Sequence, residues 1–317
     1  MSARKAVAQI YAAKGLSVHP EQVVLCASTS EAYSWLFKLL TDPGEQILVP
    51  RPSYPLLEHL ARWEDVHLTH YSISYDGAYF VDLNSLRQAC SPTTRAVVLV
   101  SPNNPTGSYT RRSELSAVVD LAVPIISDEV FADYPLSPVA PEVPSALVAE
   151  SSLVFALGGL SKSLAWPQLK LAWIVVAGPG NLRSEALCRL ELIADSYLSP
   201  NTPVQVALPE LLNQGAQRHA QVKQRLSQNY AALARLVQDS PVSLCPIQGG
   251  WSAVLRLPLT TAQDWAALLL EQQHLLVQPG WFYDFAEDGI VIVSLLTPEA
   301  NFAEGITRLL NCVSTLD

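Results

Sequence analysis

Charge is scarce in this sequence. Lysine, arginine, aspartate and glutamate make up 15% of its 317 residues, against 49% hydrophobic ones. Disordered chains have the opposite balance, so a sizeable buried core is expected. The few charges sum to −9. An acidic surface repels phosphate backbones, which makes nucleic acid a poor partner. Cysteine is also sparse: Cys26, Cys90, Cys188, Cys245 and Cys312. An odd number, widely spread and without a C-x-x-C pair, fits reduced thiols in a cytoplasmic protein and excludes a disulfide framework. The same spacing argues against a structural zinc site. No run of 18 apolar residues occurs, so no membrane-spanning helix is expected. The stretch from Met1 to Tyr11 lacks the long apolar core and cleavage signal of a secretory leader. It reads as a helix already under way, with Val7, Ile10 and Tyr11 as its apolar positions. Such a start is what a chain lacking a preceding segment would show.

What is present is alternation. Strand candidates are Val23–Ala27, Gln46–Val49, Val66–Ser72, Arg95–Ser101, Val123–Ser127, Leu153–Gly158 and Leu171–Ala177. Several are nearly continuous valine, isoleucine and leucine, the pattern of parallel strands buried on both faces. Helical patterns lie between many of them, as in Ser30–Leu40, Tyr54–Trp63 and Arg112–Leu121. The alternation predicts an α/β fold with a mostly parallel sheet and flanking helices. After Ala177 the texture changes. Leu182–Leu198 reads as a helix, and Pro203 to about Gln238 as a long helical stretch broken near Gly215. Gly250–Leu257 and Ile290–Leu296 read as strands, with helices near Thr261–Gln272 and Ala300–Val313. A large domain over 1–205 and linking helices with a small C-terminal α+β domain over 206–317 are therefore expected. No internal repeat or low-complexity tract is evident.

In open parallel sheets, ligands gather at the carboxyl ends of the strands. The residues that follow each strand candidate are therefore informative. Ser28-Thr29-Ser30-Glu31 follows the first and opens a helix, where free N–H groups and hydroxyls suit a phosphate. Asn103-Asn104-Pro105-Thr106-Gly107 follows Arg95–Ser101. Asp128 and Glu129 follow Val123–Ser127. Leu160-Ser161-Lys162-Ser163 follows Leu153–Gly158. Each has an ordinary reading: a helix cap, a turn, a solvated acidic pair and a surface lysine. Their order on one sheet edge is what gives them weight.

With Pro52-Ser53-Tyr54-Pro55, Asn103-Asn104-Pro105-Thr106-Gly107, Ser127-Asp128-Glu129-Val130-Phe131 and Gly159-Leu160-Ser161-Lys162 in this order, the chain resembles fold-type I pyridoxal-phosphate enzymes. The resemblance is to the class I/II aminotransferases, and it runs over almost the whole sequence. Pro279-Gly280-Trp281-Phe282 adds a small-domain likeness. The resemblance implies that Lys162 holds pyridoxal 5'-phosphate as a Schiff base and carries a proton once displaced. It gives Asp128 the pyridine nitrogen, Asn104 the phenolic oxygen and Tyr54 the ring face. Thr29, Ser30 and Lys170 would hold the phosphate, Lys170 standing where the family usually has arginine. A homodimer is implied, with Ser199–Thr202 resembling the segment that reaches to the partner subunit.

There are departures from the family pattern. Phe131 replaces the usual tyrosine three residues after the aspartate. Gly159 replaces a frequent serine. Ile292 stands where the family has its arginine for the substrate carboxylate. Arg51, Arg189 and Arg256 are candidates to replace that arginine, though each reads more naturally as a surface or structural charge. The segment that covers the substrate in family members is not recognisable here. The leading expectation is an aminotransferase moving an amino group between a small amino acid and a 2-oxo acid. The alternatives are a β-lyase or decarboxylase on the same cofactor, since fold does not fix the reaction, or a degenerate homologue without activity.

Overall fold

The computed structural model describes residues 1–137, 141–259 and 264–315. Helix α1 (Ser2–Ala13) buries Val7 and Tyr11, as its apolar spacing predicts. Strand β1 (Val23–Cys26) leads into α2 (Thr29–Leu40), and β2 (Gln46–Arg51) into α3 (Leu56–Trp63). Strand β3 (His67–Tyr75) turns back as β4 (Tyr79–Val81) before α4 (Leu83–Ala89). Then follow β5 (Thr94–Val100), α5 (Arg112–Val119), β6 (Ile125–Asp128), β7 (Val154–Gly159), the one-turn α6 (Leu160–Ser163) and β8 (Ala172–Ala177).

These strands form one sheet in the order β1-β8-β7-β6-β5-β2-β3-β4. The run from β7 through β6, β5 and β2 to β3 is parallel throughout. Side chains alternate between two cores: Val97 and Leu99 join one, Ala96 and Val98 the other. This is the two-sided burial that continuous apolar runs foretell. Strand β8 is the exception. Its sequence reads like its neighbours, yet it pairs antiparallel with both β7 and β1. The link from β7 holds only α6 and one 3-10 turn, too little to recross the sheet as a parallel connection must.

The remainder comprises α7 (Gly180–Tyr197), α8 (Thr202–Leu236), β9 (Ser243–Leu244), β10 (Ser252–Arg256), α9 (Trp265–Gln273), β11 (Gln278–Pro279), β12 (Ile290–Ser294) and α10 (Glu299–Ser314). Its strands form a small antiparallel sheet in the order β11-β12-β10-β9. Helix α8 is not broken at Gly215, contrary to the sequence reading. Gly215 is buried there, and a Cβ would lie 2.8 Å from the Leu164 methyls. The glycine serves close packing against the α6 loop rather than a helix end. Helix α3 begins at Leu56 rather than Tyr54, because Pro55 occupies its N-cap. Of the helix expected at Thr261–Gln272, residues 261–263 lie outside the described residues, and the rest is α9. Strand β4 and helix α4 escaped the sequence reading, being three and seven residues long. No helix among the described residues is long and apolar enough to cross a membrane.

Candidate active site

The antiparallel β8 has a useful consequence. Because it runs opposite to β7, the residue before it lies on the same sheet edge as the residues after β7. Gly159 pairs with Ala172 at that edge. Lys162, just after β7, and Lys170, just before β8, thus share it. Strand β1 is antiparallel to β8 and therefore parallel to β7, so Thr29 and Ser30 come to the same edge. The loops after β2, β5 and β6 bring Tyr54, Asn104 and Asp128 there. All seven predicted residues occupy one edge.

Helix α2 opens with a built cap. The Ser28 hydroxyl accepts from the Glu31 N–H at 3.1 Å, and the Glu31 carboxylate accepts from the Ala27 N–H at 2.6 Å. The first-turn N–H groups of Thr29 and Ser30 have no intrahelical acceptor. Their half-buried hydroxyls make no hydrogen bond among the described residues. One turn on, the buried Tyr33 donates its phenol to Asp128 Oδ2 at 3.0 Å.

Asp128 closes β6, between Val100 of β5 and Leu157 of β7. Its Oδ1 accepts from the Val130 N–H at 3.2 Å. Desolvation pushes its pKa up, while the bonds from Val130 and Tyr33 and the charge of Lys162 pull it back. Lys162 has the complementary shift. Burial lowers its pKa, and the Asp128 carboxylate opposes that change. Its Nζ lies 5.2 Å from the Trp251 ring centre and 5.6 Å from that of Phe131. The two rings meet edge to face at 5.4 Å. The Tyr134 hydroxyl donates to the carbonyl oxygens of Lys162 and Ser163, at 2.7 and 3.0 Å, which fixes the turn that carries the amine.

In the loop after β5, Asn103 and Asn104 divide the work. Asn103 is buried and structural: its Oδ1 accepts from the Thr106 hydroxyl at 2.9 Å. Gly107 follows with φ +68, and a Cβ there would lie 2.6 Å from the Gly249 carbonyl oxygen. Both the turn and the approach of the small sheet therefore require glycine. Asn104 is half-buried, and its amide has no hydrogen-bond partner among the described residues. Tyr54 remains 47% exposed and meets Phe282 and Tyr283 at 6.5 and 6.3 Å. The Pro279-Gly280-Trp281-Phe282 run is thereby delivered beside it. Lys170 is exposed in a left-handed conformation, with no ion pair among the described residues.

Ile292 is buried in β12, opposite Val254. None of the three arginines considered in its place is a free cation. Arg51 pairs with Asp284 at 3.3 Å and Arg189 with Glu185 on the outside of α7. Arg256 lies 4.4 Å over the Tyr75 ring and 3.6 Å from Glu287. The sequence reading passed over Tyr33, Tyr134 and Trp251. Trp251 carries no motif. Tyr33 has one signal, a polar-tipped ring one turn after the phosphate-type helix start.

A family model described as aminotransferase class I and II matches residues 1–309. Glutamate-pyruvate aminotransferase AlaA of Escherichia coli K12 is 31% identical over 216 residues, which cover 67% of this chain and 53% of that protein. Nicotianamine aminotransferase 1 of Oryza sativa subsp. japonica is 26% identical over 277 residues, 82% of this chain and 56% of that protein. The chain spans little more than half the length of these curated relatives. Among solved structures, alanine aminotransferase from Pyrococcus furiosus superposes with a TM-score of 0.90 at 23% identity, covering 99% of this chain and 82% of that one. Tyrosine aminotransferase from Leishmania infantum gives 0.88 at 22% identity, covering 99% and 81%. These likenesses show a common fold, and with the family match over nearly its whole length the chain belongs to the class I and II aminotransferases.

Proposed function

We propose that this chain is a pyridoxal-phosphate-dependent aminotransferase that moves an amino group between a small amino acid and a 2-oxo acid. The observation that carries this reading is the pair Lys162 and Asp128 on one sheet edge: an amine set against the Phe131 and Trp251 rings, and a carboxylate held by Tyr33 and the Val130 N–H. The donor set fits the cofactor. Thr29, Ser30 and Lys170 suit its phosphate, the unpartnered Asn104 amide its phenolic oxygen, Tyr54 its ring face and Asp128 its pyridine nitrogen. Phe131 supplies no hydroxyl, so one bond to the phenolic oxygen usual in the family is absent. When bound, the cofactor supplies an electron sink conjugated to the substrate carbon.

The protein's own groups do the remaining work. Burial favours the neutral form of the Lys162 amine, the form in which Nζ would attack a carbonyl and later take and return the proton at the substrate Cα. Asp128 would partner the ring nitrogen and favour its protonated form. The Phe131 and Trp251 rings lie beside Nζ and cover part of it from water, which raises the weight of nearby charge.

A division at residue 205 into a cofactor-binding domain and a smaller one draws support from the separate core under the small sheet. A homodimer is part of the proposal, supported by the exposed Leu192, Leu198 and Val206 around the α7–α8 turn that holds Ser199–Thr202. The five free cysteines suit a cytoplasmic protein. A half-reaction tests the whole reading. Added amino acid should convert bound pyridoxal phosphate to pyridoxamine phosphate. Pyruvate and ammonia released without an acceptor would indicate a lyase instead. No spectral response to any amino acid would indicate a protein without activity.

A further inference from the structure

The bond between Tyr33 and Asp128 has no counterpart among the motifs that brought the site together. Tyr33 lies four residues after Thr29 in α2, about 6 Å along the helix axis at 1.5 Å per residue. One rigid helix therefore carries the two hydroxyls assigned to the phosphate and the phenol that reaches Asp128. We propose that Tyr33 is a positioning residue for this reaction: its phenol holds the Asp128 carboxylate in one orientation and ties it to the helix turn that carries Thr29 and Ser30. The inference rests on the reading that Asp128 partners the ring nitrogen.

Three features support it. Tyr33 is 2% exposed, so water does not compete for the bond. Burial and the neighbouring carboxylate push its own pKa well above the ordinary value, so it acts only as a donor. A phenol that only donates favours the ionised carboxylate over the acid. The titratable groups that face Asp128 are few. Lys162 acts from α6 and Tyr33 from α2, alongside the Val130 N–H. Tyr71, from β3, acts on Tyr33 by charge but donates its phenol to the Val98 carbonyl oxygen at 2.7 Å and does not replace it. Tyr33 is thus the side chain that donates a hydrogen bond to the carboxylate, while Lys162 acts on it only through its charge.

A merely structural Tyr33 would pack as well without its hydroxyl, because its ring also meets Phe37 at 6.0 Å. Tyr33→Phe separates the two roles. Asp128→Asn is the reference. The acid form of Asp128 is followed by its infrared carboxyl band in the full-length apoprotein, assigned as the band that Asp128→Asn lacks. In Tyr33→Phe that band should persist to higher pH than in the wild type. In the loaded enzyme kcat should fall about tenfold or more, the size of a lost bond to a charged group. KM should change little, and the acid limb of the pH profile should move up. An unshifted band and wild-type kcat in a folded Tyr33→Phe protein, with Asp128→Asn inactive, would overturn the proposal and leave the Asp128 reading intact. If Asp128→Asn turns over like the wild type, that reading fails, and the infrared band alone decides whether Tyr33 holds the carboxylate.

Discussion

Tyr134 donates its hydroxyl to the main-chain oxygen of Lys162 at 2.7 Å, from the loop that follows Asp128. The residue after one strand thereby fixes the turn after the next. Tyr134 is 0% exposed and its ring also packs on Trp251 and His219. Tyr134→Phe should keep those ring contacts and lose two bonds to carbonyl oxygens. The expected cost is about 1–2 kcal/mol of stability, read by urea denaturation. A lower kcat with the cofactor still bound should accompany it. Unchanged stability and rate would mean that the turn is held without Tyr134.

Borohydride reduction of the loaded protein should fix the cofactor on Lys162, and peptide mapping should find it there. Lys162→Ala should fold normally and lose turnover. A label on another lysine would remove Lys162 from the mechanism.

The shifts at Lys162 and Asp128 predict a pH signature that needs no cofactor. Desolvation lowers the folded-state pKa of Lys162, and Asp128 partly restores it. In the apoprotein, the pH dependence of Lys162 acylation should therefore report a pKa below the ordinary lysine range. Asp128→Asn should lower it further. Stability follows the same sign. Between the lowered folded pKa and the ordinary one, the unfolded chain binds more protons, so stability rises with pH across that window. Lys162→Met should remove this rise. An acylation pKa at the ordinary lysine value would contradict the burial seen here.

Two glycines make a paired test of packing. At Gly158 a Cβ would lie 2.5 Å from Trp173 Nε1 and 2.7 Å from Cε2, while at Gly180 it would meet open space. An indole ring wedged beside β7 does not yield as a methyl group does. Gly158→Ala should cost about 1–3 kcal/mol, and Gly180→Ala should cost nothing measurable. Equal melting temperatures for the two variants would show that Trp173 moves freely.

Ile292 is buried in a strand of apolar neighbours. A desolvated substrate carboxylate without a partner costs several kcal/mol or more. A weak, relaxed preference among small amino acids is therefore expected. Amino acids and their decarboxylated amines should be assayed as pairs, with Arg189→Ala and Arg256→Ala alongside. Equal rates for acid and amine would mean no carboxylate recognition. Strong preference for the acid, unchanged in both variants, would point to a clamp elsewhere. Ile292→Arg should not restore an ordinary preference, because a guanidinium does not fit a site shaped for isoleucine.

The strands and the site motifs lay open in the sequence for a local reason. Continuous apolar runs mark strands buried on both faces, and small polar residues mark their ends. Lys162, Asp128, Asn104, Thr29 and Ser30 each follow such a run, so strand and site were read together. The helix start at Thr29, the end of β6 at Asp128 and the buried face of α1 are all fixed by residues within a turn or two. Which strands pair, and the sense of β8, were not. The antiparallel sense of β8 depends on how little chain links it to β7, and it alone brings Lys170 to the edge that holds Lys162.

What the sequence determined by itself was the set of elements and the chemistry at their ends, because propensity, capping and the apolar period act over neighbours along the chain. What only the tertiary structure decided was which distant groups meet. Gly215 reads as a helix breaker and proves to be the floor against Leu164, since a missing side chain says nothing about what fills its space. Tyr33 carries no motif that points to Asp128, 95 residues away, to which it donates a hydrogen bond. Trp251 falls inside the expected strand Gly250–Leu257, but it lies just before β10 and against Lys162. Such contacts join residues whose separation along the chain leaves no local pattern, and packing in three dimensions selects them.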